Sequence, residues 1–268
     1  MMHQQKVRPK KFLGQHFLHD EHIARKITEA LLVQPSLTKV LEIGPGMGVL
    51  TKYLIQNPLI DLTVVEIDRE SVAFLKNHYP TLTDRIIEQD FLELENKQLF
   101  PTSTAVIGNF PYNISSQIFF KILENRNLVS QVVCMLQKEV ADRIAAKHGN
   151  KTYGILSVLL QTFYTVEMVL KVPPGVFTPP PKVMSAVIRL IRNERQALPC
   201  DEKLFFTVVK TGFNQRRKTL RNALKNLSLA AHLNTLPVLD KRAEQLSVDD
   251  FITLTTLIER SRAGDDGI

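Results

Sequence analysis

The residues Asn109-Phe110-Pro111-Tyr112 contain the groups whose chemistry is easiest to interpret. The side-chain oxygen of Asn109 and the main-chain oxygen of Pro111 can each accept one hydrogen of an amine. Two such acceptors hold the nitrogen, direct its lone pair at an electrophile and offset the positive charge that develops. Tyr112 adds a ring that can stack on a planar partner. The pattern therefore predicts a site for a planar amino group, either the exocyclic amine of adenine or cytosine or the side-chain amide of glutamine, and it requires no strong general base.

The glycine-rich segment 42–48, Glu-Ile-Gly-Pro-Gly-Met-Gly, is typical of a tight turn after a strand, where a ligand can lie against bare backbone. A dinucleotide-binding fingerprint would have a glycine at position 49, and Val49 is there instead. Pro45 and the preceding acid make the segment resemble the S-adenosylmethionine (SAM) loop of class I methyltransferases. Gly44 is accordingly a predicted cofactor contact.

Two acidic residues follow the next two β-rich runs. Glu66 comes twenty residues after Gly46 and can accept hydrogen bonds from both hydroxyls of a ribose. Asp90 can accept from the amine of an adenine, whose ring Phe91 can cover. Gly44, Glu66 and Asp90 fall at the carboxyl ends of successive predicted strands, the edge where open α/β sheets bind ligands. We therefore predict that the cofactor lies along this edge and that Asn109 borders it.

The spacing of apolar runs predicts the elements that position these residues. Near-continuous β-rich runs recur with room for a crossover helix between them, a pattern typical of a doubly wound parallel sheet. The runs are residues 40–44, 62–66, 85–87, 105–108 and 132–136. Two further strands, 165–172 and 184–191, flank a proline-rich stretch and are expected to form an antiparallel hairpin. Asp20 and Ser247 each begin a predicted helix.

From Asp201 the pattern becomes helical, so we predict two domains. Residues 1–192 form a catalytic α/β domain with a basic N-terminal arm, and residues 201–268 form a small all-α domain. One apolar stripe of the second domain, Leu220, Ala223, Leu224 and Leu227, predicts a helix.

Charge and composition restrict the class of protein. The chain of 268 residues has 34 Lys and Arg against 27 Asp and Glu, a net charge of +7. The two ends carry the excess, which favours a polyanionic partner such as nucleic acid. No apolar run approaches the ~20 residues of a membrane span. Two cysteines and seven scattered histidines predict neither a disulfide framework nor a metal site, and we expect a cytoplasmic protein.

A basic stretch in the second domain is the predicted RNA contact. It has no acidic residue between positions 210 and 225, and Arg217, Arg221 and Lys225 would share one face of a continuous helix. Such a stripe suits a phosphate backbone, whereas a merely solvated face usually includes acids. The residues that we assign to RNA binding are Arg216, Arg217, Lys218 and Arg221. Four basic residues of the arm could add a second contact: Lys6, Arg8, Lys10 and Lys11.

Five stretches together resemble the ribosomal RNA adenine N6,N6-dimethyltransferases, most closely the small-subunit branch. They are residues 12–18, 42–48, 109–112, 177–185 and 213–221. The resemblance implies a class I SAM-dependent methyltransferase, Rossmann-like, with a seven-stranded sheet and an antiparallel final strand. It also implies that His16 and Leu18 contact SAM, although many bacterial members have Asn at the position of His16. Phe177 would face Tyr112 across a target base taken out of its stack.

The implied activity is dimethylation of two adjacent adenosines in the 3′-terminal hairpin loop of 16S ribosomal RNA, with a role in subunit biogenesis. The implied partner is that RNA within the small subunit or its precursor, and a monomer is the default. Two alternatives stay open here: an Erm-type large-subunit methyltransferase and an assembly factor that acts by binding. A nicotinamide dehydrogenase is disfavoured by Val49 and by the Asn109 motif.

Overall fold

The computed structural model describes residues 7–34, 37–227 and 229–263. Contacts divide the chain into two compact units. The first comprises the described residues up to Ala141 together with Thr165–Arg192, and the second comprises Asp142–Tyr164 together with the described residues from Asn193 onward. Residues 142–164 thus group with the helical tail through their contacts. The functional division at residues 192 and 201 stays a prediction.

The described residues form nine strands, which are in chain order β1 (Phe17–Leu18), β2 (Lys39–Ile43), β3 (Asp61–Glu66), β4 (Ile86–Glu88), β5 (Thr104–Asn109), β6 (Val129–Gln137), β7 (Tyr164–Val172), β8 (Phe177–Thr178) and β9 (Ser185–Arg192). Seven of them make one sheet in the order β4-β3-β2-β5-β6-β9-β7. The pairs among β2 to β6 are parallel, and β9 runs antiparallel to β6. The predicted mixed sheet of seven strands is confirmed.

The register brings the predicted site residues to one edge. Ile43 at the end of β2 lies opposite Val65 of β3 and opposite Gly108 of β5. Glu66 and Asn109 are the last residues of their strands. A side chain at position 108 would place its Cβ 2.4 Å from the main-chain oxygen of Ile43, so glycine permits the close approach of β5 to β2. Since the strands are parallel, their carboxyl ends meet.

The helices are α1 (Glu21–Glu29), α2 (Thr51–Leu54), α3 (Arg69–His78), α4 (Asn96–Leu99), α5 (Ser115–Glu124), α6 (Lys138–Ala145), α7 (Ile155–Phe163), α8 (Glu202–Asn214), α9 (Leu220–Ala223) and α10 (Val248–Arg262). Asp20 caps α1 by accepting from the Ile23 amide at 2.9 Å, as predicted. Ser247 and Asp250 cap the start of α10 reciprocally, which confirms that helix signal. Among the described residues, no helix combines the length and the apolar character needed to cross a membrane.

The first unit is built around the central strands of the sheet. Val106 and Ile107 are neighbours in β5 and point to opposite faces, yet both are completely buried. Helices therefore cover both faces, as a parallel sheet requires. In the second unit, Phe213 of α8 contacts the rings of Tyr153 and Phe251, with centroids 6.0 and 5.9 Å away.

Two local features differ from the sequence-based expectation. The stripe from Leu220 to Leu227 is not one helix, because α9 has four residues and a 3₁₀ turn follows at Lys225–Leu227. The proline-rich stretch contributes strand β8, which pairs antiparallel with β1 through Leu18 opposite Phe177. This small ribbon fastens the N-terminal segment (residues 10–18) to the first unit.

Candidate active site

A cavity of about 270 Å³ opens at the carboxyl edge of β2, β3 and β5 in the first unit. Its lining comes from the N-terminal segment, the strand ends and the loop after β5. It includes most of the predicted site residues, namely His16, Gly44, Glu66, Asp90, Asn109, Pro111 and Tyr112. Leu18 and Phe177 are not part of this lining.

Glu66 is held at the cavity by backbone amides. Its carboxylate accepts hydrogen bonds from the amides of Gly46 at 3.0 Å and Asp68 at 2.9 Å. The residue is 4% exposed, and burial raises the pKa of its carboxyl while these hydrogen bonds oppose the rise. A carboxylate has about four acceptor positions, so these two bonds leave acceptor capacity for a ligand hydroxyl.

The glycine loop bends where the cavity begins. Gly46 has a φ of +57°, and a Cβ there would lie 2.8 Å from the ring of Phe17. Gly44 has a φ of +65°, and the nearest atom to a Cβ there would be 4.0 Å away. The loop therefore needs glycine at both positions, and beside Gly44 it leaves open space in which a ligand can lie against the backbone.

The loop after β4 is organised by a buried lysine that sequence reasoning missed. The Lys121 ammonium, on α5, donates to the main-chain oxygens of Phe91 (2.8 Å), Leu92 (3.0 Å) and Leu94 (2.5 Å). It also lies 5.2 Å from the centre of the Phe91 ring, and burial lowers its pKa. A lysine in the otherwise apolar run Ile118–Leu123 was the available signal. Lys121 thus holds the loop that carries Asp90.

Asp68, just after Glu66, anchors the N-terminal segment. It is 1% exposed and accepts hydrogen bonds from the side chains of Gln15 (3.1 Å) and Lys10. Lys10 also lies 3.2 Å from Glu70, and its hydrogen bond to Asp68 raises the pKa of its ammonium. An intramolecular ion pair thus engages the Lys10 ammonium, and its contact with RNA stays a prediction. Lys6 lies outside the described residues.

His16 links three parts of the site. Its main-chain oxygen accepts from the Asn109 side-chain nitrogen at 2.9 Å. Its Nδ1 donates to the main-chain oxygen of Pro179 at 2.7 Å. Its ring stacks on Tyr112, with centroids 5.4 Å apart and planes inclined by 28°. The N-terminal segment therefore touches both the predicted amine acceptor and the predicted stacking ring.

Tyr112 is held at its hydroxyl by a residue of β9. Its hydroxyl hydrogen-bonds to the Ser185 hydroxyl at 2.5 Å, and burial raises its pKa. Phe177 is 2% exposed and packs in the core cluster that includes Leu18. It does not line the cavity in this structure, and its stacking opposite Tyr112 on a target base stays a prediction. Pairing of β8 with β1 keeps Phe177 inward.

Glu42, the acid that leads into the glycine loop, is buried beneath it. It is 1% exposed and accepts from the Thr51 hydroxyl at 2.7 Å. Burial raises the pKa of its carboxyl to about 8, with a further contribution from the nearby Glu66. This carboxyl is largely protonated at neutral pH.

The basic stretch of the second unit separates into two groups. Arg216 pairs with Glu244 at 2.9 Å, and Arg221 pairs with Asp240 at 2.8 Å. Acids distant in sequence thus neutralise two of the four predicted RNA contacts. Arg217 and Lys218 are exposed and form no ion pair with the described part of the chain.

The expected common helix face is also absent. Residue Arg217 lies after the end of α8, and Lys225 lies in the 3₁₀ turn beyond α9. The three residues four positions apart therefore do not share one helix, because the helix that would align them is interrupted at residues 215–219.

The cavity fits SAM on its own chemistry. Open space beside Gly44 suits a ligand laid against backbone, Glu66 offers acceptors for ribose hydroxyls, and Asp90 offers one for an adenine amine. The fold and this donor set define a class I SAM-dependent methyltransferase.

Comparison with known proteins identifies the family. The family model described as ribosomal RNA adenine dimethylase matches residues 6–260. The chain belongs to this family and is a SAM-dependent ribosomal RNA adenine dimethyltransferase.

The chain is similar to curated proteins named ribosomal RNA small subunit methyltransferase A. The one from Cytophaga hutchinsonii is 57% identical over 95% of this chain and 98% of its own length. The one from Flavobacterium johnsoniae is 56% identical over 95% and 97%.

Two solved structures are also similar to this chain over most of its length. A dimethyladenosine transferase from Plasmodium falciparum is 28% identical with a TM-score of 0.76, covering 93% of this chain and 98% of that one. The 23S rRNA methyltransferase ErmE is 25% identical with a TM-score of 0.64, covering 89% and 99%.

Proposed function

We propose that this enzyme dimethylates N6 of two adjacent adenosines in the 3′-terminal hairpin loop of 16S ribosomal RNA in the small subunit or its precursor. The observation that carries the chemistry is the orientation of Asn109. Its amide nitrogen is engaged by His16, so its oxygen remains to accept from the adenine amine. A monomeric state and a cytoplasmic location belong to the same proposal.

Identity with named relatives supports the choice of RNA. The chain is 57% identical to a small subunit methyltransferase A but 25% identical to the large-subunit enzyme ErmE. Substrate preference follows the more similar relatives unless the RNA-contacting surface has changed. The Erm-type alternative is therefore the less favoured one.

The residues of the cavity divide the work. When bound, SAM supplies an electrophilic methyl group on a positively charged sulfur. Glu66 and Asp90 bind and orient the cofactor's ribose and adenine. Asn109 Oδ1 and the Pro111 oxygen accept the amine hydrogens and direct the nitrogen lone pair inward. The Pro111 oxygen already accepts from the Ile114 amide at 3.2 Å, which fixes its direction and leaves a second lone pair.

Both acceptors act mainly on the transition state. The adenine amine is a weak nucleophile because its lone pair is delocalised into the ring, and positive charge develops on nitrogen as it attacks. Preorganised oxygens that face this charge stabilise it at no cost of reorganisation. In the second transfer the amine has one hydrogen left, so one of the two acceptor contacts is given up and the cavity must accommodate a methyl group there.

The test is methylation of separated, unmethylated ribosomal subunits with SAM, followed by digestion of the RNA and mass analysis of its nucleosides. We expect dimethyladenosine from the small subunit alone, at two adjacent positions. Dimethyladenosine from the large subunit would instead support the Erm-type activity.

A role in subunit assembly is part of the proposal. Its support is that Arg217 and Lys218, which are exposed and could bind RNA, lie far along the sequence from the Asn109 motif. Glu66→Ala separates binding from catalysis. We expect it to abolish methylation and leave small-subunit binding largely intact. Simultaneous loss of both, in a folded variant, would contradict this separation.

A further inference from the structure

Phe12 is the most exposed large apolar side chain of the described residues, at 77%. It lines the same cavity as Asn109 and Tyr112. Ile67, at 46%, is a second exposed apolar residue of this lining, whereas Leu59 at the amino-terminal side of β3 lies outside it. Single exposed apolar residues are common on protein surfaces, so what distinguishes Phe12 is that it combines an aromatic ring, the highest exposure and a position at the reaction cavity.

The backbone around Phe12 is held in place. Lys11–Leu13 form one 3₁₀ turn, which ends at Gly14 with a φ of 65°. On one side Lys10 bonds to Asp68, and on the other side Gln15 bonds to the same carboxylate at 3.1 Å. The ring of Phe12 is therefore presented on a tethered turn, which reduces the entropy lost when a partner stacks on it.

Positive charge accompanies this ring. Arg8 and Lys11 are exposed, and neither forms an ion pair with any described residue. The two acidic residues that hold the N-terminal segment, Asp68 and Glu70, are already paired with Lys10. An exposed aromatic ring flanked by unpaired cations is the combination with which proteins bind single-stranded nucleic acid.

We propose that Phe12 stacks on the base of the nucleotide next to the target adenosine, while Lys11 and Arg8 contact the adjoining phosphates. This inference rests on the proposed RNA substrate and adds a binding position to it. When one of two neighbouring adenosines occupies the cavity, the other lies within reach of the ring at its rim. Phe12 then contributes to the recognition of an unpaired strand and takes no part in methyl transfer.

The test compares Phe12→Ala, Phe12→Trp and the control Leu59→Ala, which removes an exposed apolar side chain elsewhere. We would measure the KM for unmethylated small subunits, the Kd for the same subunits, and the Kd for SAM without RNA. For Phe12→Ala we expect a roughly 5- to 150-fold rise in the KM and Kd for subunits, because that is the usual effect of removing one base–aromatic stack. Phe12→Trp should keep the KM and Kd for subunits near the wild-type values, and Leu59→Ala should change neither.

The affinity for SAM distinguishes the other possible occupant. If Phe12→Ala weakens SAM binding without RNA, the ring covers the cofactor and the proposal is wrong. Unchanged subunit binding in Phe12→Ala overturns it as well. If the wild-type enzyme methylates neither subunit, the proposed function fails, and the stacking is then decided by the subunit Kd of Phe12→Ala alone.

Discussion

The side-chain nitrogen of Asn109 donates a hydrogen bond to the main-chain oxygen of His16, 2.9 Å away. This contact sets the amide so that Oδ1, which accepts no hydrogen bond from the described residues, is the atom left for substrate. The bond uses the backbone of residue 16, so it does not depend on which side chain is there. Relatives with Asn at this position can form the same contact.

Substitution of Asn109 by Ala should lower kcat by about 10²- to 10³-fold, the usual effect of removing one preorganised contact to a developing charge. The loss in kcat should exceed any loss in SAM affinity. Asn109→Asp is the informative partner variant, because it keeps an acceptor but places negative charge against the His16 oxygen. Single-turnover rates and calorimetric SAM binding measure the two effects, and a change confined to SAM affinity would contradict the assigned role.

Lys121→Met should weaken SAM binding by about tenfold and lower the free energy of unfolding. Three main-chain oxygens of the loop after β4 lose their donor, and unsatisfied buried polar groups cost about 1–3 kcal/mol each. The loop that carries Asp90 is then less well ordered. Lys76→Met, which removes an exposed lysine on α3, is the matched control. Equal SAM affinity in the folded Lys121 variant would rule out a positioning role.

The exposed and the paired arginines should behave differently. Arg217→Ala combined with Lys218→Ala should weaken small-subunit binding and lower the slope of log affinity against log salt by about 1 per lost phosphate contact. Arg221→Ala removes an exposed ion pair with Asp240 and should cost about 1 kcal/mol of stability or less. Its salt slope should equal that of the wild type. Binding measured at several salt concentrations decides, and an unchanged slope in the double variant would refute the contact.

Relative to the wild type, Glu42→Gln should raise the free energy of unfolding more at high pH than at low pH. The Glu42 carboxyl has a pKa of about 8 in the fold, above its value of 4.5 as a free group. Between these values the folded state retains a proton that the unfolded state has lost, so a rise in pH favours unfolding. Replacement by the neutral Gln removes this penalty, which amounts to at most about 1.4 kcal/mol per pH unit.

Chemical denaturation at about pH 5 and about pH 8 measures this difference between variant and wild type. Glu88→Gln, which changes an exposed carboxyl at the end of β4, provides the control. A difference that stays constant across this range would show that Glu42 ionises normally in the fold.

Local sequence patterns were sufficient to predict the strands of the sheet and the site residues at their carboxyl ends. The β-rich runs that end at Glu66 and Asn109 are confirmed as strands, because short near-continuous apolar runs rich in β-branched residues are typical of strands covered on both faces. Since parallel strands end at a common edge, the grouping of Gly44, Glu66 and Asn109 followed from the same pattern. Helix caps such as Asp20 could also be predicted from the sequence, because the cap and the amide that it accepts from are only three residues apart.

Contacts between residues far apart in the chain were decided only by the tertiary structure. Lys121 reaches carbonyl groups about thirty residues earlier, Asp68 holds Lys10 and Gln15, and Asp240 neutralises Arg221. A local pattern contains no information on such partners, because they meet only when the fold brings them together. The sequence by itself thus determined the class of fold and the chemistry of the strand ends. The tertiary structure decided which charges are paired internally and which, such as Arg217, remain for an external partner.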